Sequence, residues 1–347
     1  MERNHGIDFL KNICVVMIVT LHILKASGTL VTNNDAARYC LSWLLETLSY
    51  CAVDCFALMT GYLMLGKKFK LSRIISLWMQ VFFYSTGILA LFAIFSPNLL
   101  TKHDIIAALF PIASSSYWYL TAYMFLLFLM PFLNLLLDNL DRSATNLLVT
   151  AVAVLLSVLP TILNYDIFFT NKGYSMLWLA GLYIIGARIR KYGFNKNISA
   201  IDAFFAYLVV SVAVWISIPY YGIQWLNYTS PMILLASVSL LFCSLRINWR
   251  HQAFCKIMSL LAPLSFSTYL IHAHPLLWKT ILSPWFSAYA FLPSGGFIPA
   301  VIVSAVIMQI VCCLIEFLRS KIFSLLRIHV FENYIDCRID YFWHSAL

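Results

Sequence analysis

Ten apolar stretches, separated by gaps too short to hold a soluble domain, run the length of this chain. A bilayer crossing needs about 20 predominantly apolar residues in helical form. The stretches extend from Ile7 to Leu24, Leu41 to Leu65, Ile75 to Phe95, Trp118 to Leu137 and Ala144 to Leu163. In the second half they extend from Met176 to Ile189, Ile201 to Tyr220, Met232 to Leu245, Ile257 to Trp278 and Ile298 to Leu318. The pattern predicts an all-α, polytopic membrane helix bundle of about ten transmembrane helices. Composition agrees. Charged residues make up 11% of the chain and hydrophobic residues 62%, where a soluble chain is about a quarter charged.

Lysine and arginine in loops favour the cytoplasmic side of a membrane. With the N-terminus inside, 17 of the 23 basic residues fall in cytoplasmic segments, while Lys25, Arg38, Lys102, Lys172 and Lys279 fall outside. That alternation predicts both termini in the cytoplasm. The net charge of +9 is then a topology signal; the expected partner is the lipid bilayer and not nucleic acid. The first stretch starts almost at once, carries Asp8 and Lys11 and lacks a small-residue cleavage site, so it does not read as a removable signal peptide. Residues 1–320 form the expected transmembrane domain. In residues 321–347, Ile322, Phe323 and Leu326 alternate with basic side chains. This predicts an amphipathic tail on the cytoplasmic membrane surface.

Ionisable side chains inside an apolar crossing mark a functional site by default. The first crossing holds Asp8, Lys11 and His22. Eleven helical steps of about 100° return close to the starting direction, which sets Lys11 and His22 on one face roughly 16 Å apart. Asp8 can pair with Lys11 across one turn. Such a stripe suits a long ligand whose charged and reactive ends need separate partners. Asp54 is also intramembrane and is expected to face a polar cavity or a cation on another helix. Thr60 and Gly61, just beyond, are small enough to let helices approach closely.

The basic cluster Lys67, Lys68, Lys70 and Arg73 reads as a positive-inside anchor. Alternatively, Lys70 and Arg73, one turn apart where a helix begins, clamp phosphates at the cytoplasmic mouth. The run from Ser114 to Leu120, with Trp118 and Tyr119, reads equally as an interfacial aromatic belt or as a stacking surface for a sugar. His272 and His274 straddle one residue and point in different directions. At most one of them shares a cavity with His22, and His272 is assigned there, as a partner of acidic or serine side chains. Glu46 and Glu316 are further acids within crossings; Glu316 lies within a turn of Arg319 and reads as an interfacial ion pair. Cys51 and Cys55 flank Asp54, but no second pair completes a metal site. They read as small apolar residues, and no metal is expected.

Here the residues meet a family. Gly6-Ile7-Asp8-Phe9-Leu10-Lys11, followed by ten residues and His22, resembles the opening of the membrane acyltransferases of the acyltransferase-3 family. Members typically begin with a Gly-x-Asp-x-Leu-Arg/Lys run and place a histidine at this distance. Phe56 to Tyr62 resembles the family's phenylalanine-to-Ser-Gly-Tyr run, with Thr60 for the usual serine. Lys70 and Arg73 resemble its Arg-x-x-Arg pair, with lysine in the first place. Trp118-Tyr119-Leu120 to Pro131, and Tyr269-Leu270-Ile271-His272, resemble its later landmarks. The resemblance covers nearly the whole chain. Tyr123 stands where many sugar-modifying members carry a glutamate. A soluble esterase-like domain, common after the last crossing, is missing here, which implies that the membrane domain acts alone or with a separate soluble or membrane partner.

The resemblance implies an integral-membrane O-acyltransferase of the bacterial cytoplasmic (inner) membrane. It would move an acyl group, usually acetyl, from acyl-CoA to a hydroxyl of a surface polysaccharide, glycolipid or lipid-linked sugar precursor. Acetyl-CoA is then a co-substrate, and no cofactor is bound permanently. Lys70 and Arg73 suit the CoA phosphates. The pantetheine arm would run past Lys11, itself fixed by Asp8, to His22. That imidazole would act as general base on the acceptor hydroxyl or be acylated itself. Asp54, Trp118, Tyr119, Tyr123 and His272 are the expected substrate contacts. The competing class is a polytopic exporter or flippase of polysaccharide intermediates, although the paired interrupted helices of inverted-repeat transporters are not seen. A glycosyltransferase would call for clustered acids in an outer loop, whereas Asp35, Asp104 and Asp166 are scattered.

Overall fold

The computed structural model describes residues 3–31, 35–194 and 197–326. Lys196, Arg327, Arg338 and most of the expected amphipathic tail lie outside them. Among the described residues every apolar stretch is built of helix and no strand occurs. The physical reason is local: a backbone in hydrocarbon has no water to bond, and a helix pairs its N–H and C=O groups within one segment.

The first half comprises α1 (His5–Ser27), α2 (Ala36–Ser49), α3 (Ala52–Met64), α4 (Leu71–Phe95), α5 (Lys102–Leu109), α6 (Trp118–Asn139), α7 (Arg142–Ala153) and α8 (Leu159–Leu163). The second half begins with α9 (Met176–Tyr192), α10 (Ala200–Tyr221), α11 (Pro231–Arg246), α12 (Gln252–Leu261) and α13 (Phe266–His272). It ends with the short α14 (Pro275–Leu277) and α15 (Ser283–Ser287) and the long α16 (Ser294–Leu325), which runs through the expected domain boundary at residue 320. Caps mark the ends. The Asn4 side chain accepts from the Ile7 N–H to start α1, and Gly28, at φ 70°, stops it. A left-handed backbone there favours glycine, which has no Cβ to clash.

Among the described residues seven helices are long and apolar enough to cross a bilayer, with α2 and α3 counted as one and α7 and α8 as another. The pair α12 and α13, bent by 47° at its break, makes an eighth. The sixth and eighth expected crossings are α9 and α11, at 17 and 16 residues. At ~1.5 Å per residue they are roughly 24–26 Å long, short of the ~30 Å hydrocarbon core. Both are packed inside the bundle, whereas α4, α7, α10 and α16 turn large apolar side chains such as Leu91, Leu147, Phe205 and Leu314 outward. An outward apolar face is the arrangement that lipid tails favour.

Helices α3 and α9 pack backbone against backbone. A Cβ added at Gly61 would stand 2.0 Å from the Tyr183 carbonyl oxygen, and one at Gly186 would stand 2.0 Å from that of Leu58. Glycine on each helix therefore lets the backbones touch, the small-residue approach that membrane helices use in place of a hydrophobic driving force. Gly186→Val is expected to cost more than the ~1–3 kcal/mol typical of overpacking, because the obstacle is backbone. The expected readout is loss of the monodisperse peak in detergent size-exclusion chromatography, whereas Gly87→Val, with open space around it, leaves that peak intact.

On the far side, Glu316 is buried and takes two bonds from Arg319, Nε to Oε2 at 2.8 Å and Nη2 to Oε1 at 2.6 Å. Tyr84 Oη donates to Oε2 at 2.7 Å, tying α4 to α16. The expected ion pair thus forms within α16, and Tyr84 joins it to α4. Cys55 Sγ contacts the Ser237 carbonyl of α11 at 3.6 Å, as a small residue between helices.

Candidate active site

The break between α12 and α13 shapes the site. Pro263 lies in it and has no N–H to continue the helical ladder. Freed and neighbouring carbonyls find donors close by. Ser265 Oγ donates to the Ala262 carbonyl at 2.9 Å, and Ser267 Oγ lies 2.7 Å from the Leu264 carbonyl and 3.1 Å from that of Cys312 on α16. Tyr117 Oη donates to the Leu270 carbonyl at 2.9 Å. Pro275 begins the next helix. What remains is a seven-residue helix whose last residue is His272. The serines expected to partner His272 serve the broken backbone instead.

His272 is 1% exposed. Its Nδ1 lies 2.5 Å from the Thr268 carbonyl oxygen and its Nε2 lies 2.8 Å from Nδ1 of His22. His22, half-buried on α1, also meets the Trp278 indole edge-on, with ring centroids 5.4 Å apart. Two residues 250 positions apart in the chain are thus in direct contact. His274 turns away, with Nε2 3.3 Å from the Ser85 carbonyl.

His22 and His272 both line a cavity of about 410 Å³. Trp118 and Tyr119 of α6, Tyr50 after α2, and Tyr174 and Tyr228 ahead of α9 and α11 form its walls. The rings pack on one another: Tyr50 stacks on Tyr228 at 4.8 Å, Trp118 on Tyr228 at 5.8 Å, and Trp118 tilts against Tyr174 at 4.4 Å. Glu46 and Lys25 complete the lining. Glu46 Oε2 is buried without a hydrogen-bond partner, and Lys25 lies within electrostatic reach of both Glu46 and His22. Two imidazoles, one carboxylate, one cation and flat aromatic faces therefore surround a single space. That set can hold a polyhydroxylated ring and deprotonate one of its hydroxyls.

The other expected site residues are placed differently. Asp8 lies within electrostatic reach of Lys11 but makes no ion pair with it within 4 Å. Its Oδ2 accepts from Arg3 Nε at 2.6 Å and from Ser259 Oγ at 2.8 Å, because α12 packs across the start of α1. Arg3 also reaches the Ser259 carbonyl. Lys11 is half-buried on α1 and is not part of the cavity wall. Asp54 faces neither a polar cavity nor a cation. It is wholly buried, with Oδ1 accepting from Trp178 Nε1 at 3.1 Å and Oδ2 without a partner, since α9 closes over this face of α3.

Trp118, Tyr119 and His272 meet His22 at the cavity; Tyr123 does not line it, but stacks on Tyr119 one turn along α6, with centroids 5.9 Å apart. Thr60 and Arg73 lie beyond Tyr123. Lys70 is exposed at the N-cap of α4 and Arg73 is half-buried in its first turn. Because α2 and α3 run antiparallel to α1, both basic residues fall toward the start of α1, away from the cavity. An aromatic strip, Tyr119 then Tyr123, leads from the cavity toward them.

Sequence reasoning missed the rest of the wall. Glu46 stands out in the sequence as an acid within a crossing, and Tyr50 follows it by one turn on the same side. That pairing of an acid with an aromatic was a readable signal. Tyr174 and Tyr228 carried none, since each sits in a loop.

Asn12 was missed as well. It donates to the carbonyls of Asp8 and Met258 at 2.8 and 3.1 Å and accepts from Gln309 Nε2 at 2.8 Å, pinning α1 to α12 and α16. No curated protein and no solved structure matches the chain. The sequence model of one family, described as an acyltransferase domain, matches residues 4–317, a span that holds every residue of the cavity. The chain thus belongs to the acyltransferase-3 family, and the matched span is a multi-pass membrane acyltransferase domain.

Proposed function

We propose that the protein is an O-acyltransferase of the bacterial cytoplasmic membrane that carries an acyl group, acetyl in the simplest case, from acyl-CoA to a sugar hydroxyl. The acceptor belongs to a surface polysaccharide, a glycolipid or a lipid-linked sugar precursor. One observation supports this most: a half-buried imidazole, His22, stands at the wall of an aromatic cavity large enough for a sugar ring. With the N-terminus in the cytoplasm, the far end of α1, which carries His22 and the cavity, lies in the outer half of the bundle. Lys70 and Arg73 lie at the inner mouth, where cytosolic CoA arrives, and the Tyr119–Tyr123 strip lines the route between. Lys11 adds positive charge at the inner end of α1.

His22 takes the proton of the acceptor hydroxyl while the oxygen attacks the thioester carbonyl carbon. The C–O bond forms, the tetrahedral intermediate collapses, and the C–S bond breaks. The thiolate leaves and recovers the proton from His22 as free CoA thiol. The imidazole ends neutral. Trp118, Tyr50 and Tyr228 present flat faces to the C–H side of the sugar, and Glu46 accepts from its hydroxyls.

The test is direct. Purified protein in liposomes, given labelled acetyl-CoA and sugar acceptors, is expected to form an acyl ester on the sugar. Sugar translocation without any ester would instead favour the exporter. Within the acyltransferase reading, Trp118→Ala is expected to raise acceptor KM about tenfold, or ~1.4 kcal/mol of binding shared by ground and transition states, with kcat within roughly threefold. An unchanged acceptor KM would return Trp118 to the aromatic belt.

A further inference from the structure

We infer that His272 fixes the tautomer of His22 and shares the positive charge that His22 acquires, so that Nε2 of His22 is the atom that accepts the acceptor's proton. The inference rests on the proposed role of His22 as general base. It follows from counting hydrogens along one chain of contacts. A carbonyl oxygen can only accept. The His272 nitrogen beside the Thr268 carbonyl, Nδ1 at 2.5 Å, therefore carries a hydrogen. A neutral imidazole has one N–H, so Nε2 of His272 presents a lone pair. Its partner at 2.8 Å is Nδ1 of His22, which must then be the protonated nitrogen of that ring. Nε2 of His22 is left with its lone pair. The hydrogen bond made by one ring nitrogen decides the state of the other.

The surroundings hold this arrangement. His272 ends a helix bounded by the break at Pro263 and by Pro275, and its ring is buried. Trp278 packs against both imidazoles, at 5.4 Å from His22 and 6.5 Å from His272. Among the described residues neither imidazole has an ion-pair partner. A catalytic dyad with an aspartate would have to desolvate an anion at this position; a second imidazole performs the orienting task without one.

During transfer the acceptor's proton moves to Nε2 of His22. The proton on Nδ1 of His22 shifts toward Nε2 of His272, whose two N–H groups then bond to the Thr268 carbonyl and back to His22. When the thiolate leaves, it takes the proton from Nε2 of His22 as free CoA thiol, and the proton on Nε2 of His272 returns to Nδ1 of His22. His272 touches no reacting atom; it is a positioning residue.

The test compares two variants and one spectrum. His272→Phe keeps a flat ring but offers no acceptor to His22, and is expected to lower kcat at least ~100-fold, within the range of general-base effects, with both KM values nearly unchanged. His272→Gln places an amide oxygen near the site of Nε2, and is expected to recover about tenfold of that loss but not full activity, because an amide cannot take up the proton. In the full-length protein with ¹⁵N-labelled histidine, His22 is expected to be protonated at Nδ1 and bare at Nε2, the reverse of the preference of free histidine. Its signal is identified by its loss in His22→Ala.

A His22 ring protonated at Nε2 overturns the inference, as does a His272→Phe enzyme with wild-type kcat, or a loss in His272→Phe that appears only in KM. Should His272→Phe fail to fold, His272→Gln and the spectrum still decide: a glutamine variant at wild-type rate also overturns it. The two levels separate cleanly. An active His22→Ala enzyme removes the general base and the relay together, whereas an inactive His22→Ala beside a fully active His272→Phe removes only the relay.

Discussion

His22→Ala is expected to lower kcat for acyl transfer by ~10²–10⁴, the usual worth of a positioned general base, while the protein still inserts and folds. The position tolerates the change structurally. Its helix is apolar, the side chain is half-buried at a cavity wall, and removing an imidazole does not add a polar group to the membrane. The main structural cost is the bond to His272, whose Nε2 loses its partner; leaving one buried acceptor unsatisfied costs about 1–3 kcal/mol. That is a loss of stability the bundle survives, so an inactive variant reports chemistry. The space vacated by the ring suits free imidazole, which is expected to restore part of the rate when added to the assay. Near-wild-type transfer by His22→Ala, counted as acyl groups per enzyme, would take His22 out of the mechanism. Intact-protein mass spectrometry on the wild type checks the alternative path: an acyl mass on the enzyme after donor alone would make His22 a nucleophile.

The double variant Lys70→Ala with Arg73→Ala is expected to raise donor KM by about 10–30-fold and leave kcat within roughly threefold, since contacts to a remote phosphate act on ground and transition state alike. Hydrogen bonds to charged groups are worth ~1.5–3 kcal/mol each, but Lys70 is exposed and Arg73 only half-buried. Solvent screening brings the pair toward the lower end. Ionic strength gives a second readout. Donor KM of the wild type is expected to rise with salt as the attraction is screened, and that of the double variant to rise much less. A donor KM that neither substitution moves would leave the cluster as an anchor for the inner end of α4.

The contrast between Asp8 and His22 shows how much of the site was legible. Both lie on one helix and both stand out in the sequence as ionisable groups in an apolar segment. Placing them on the helix needed only its period, and His22 does face a cavity. Their partners were another matter. The nearest cation to Asp8 by helical periodicity is Lys11, yet Arg3 and Ser259 take the carboxylate. Arg3 precedes the helix, where periodicity has nothing to say, and Ser259 arrives from α12. Asp54 is the same lesson at greater depth. An isolated acid in a crossing suggests a cavity or a cation, but the close approach of α9 at Gly61 and Gly186 buries it against an indole. Thr60 and Gly61 signalled a close contact without saying which helix would make it.

Helical class, membrane residence and the position of most crossings were determined by the sequence alone. Each depends on a local condition: about 20 apolar residues in a row, with the backbone bonded within its own segment. Two crossings, α9 and α11, are short in the sequence pattern as in the structure, and one is broken for a local reason, the proline at position 263. The cavity was decided only by tertiary packing. Its wall draws on α1, α2, α6 and α13 and on the loops before α9 and α11, and no periodicity relates side chains on different helices. The meeting of His22 with His272 is of that kind: one helix supplies each ring, and their 2.8 Å contact exists because a broken helix ends at the right depth beside an unbroken one.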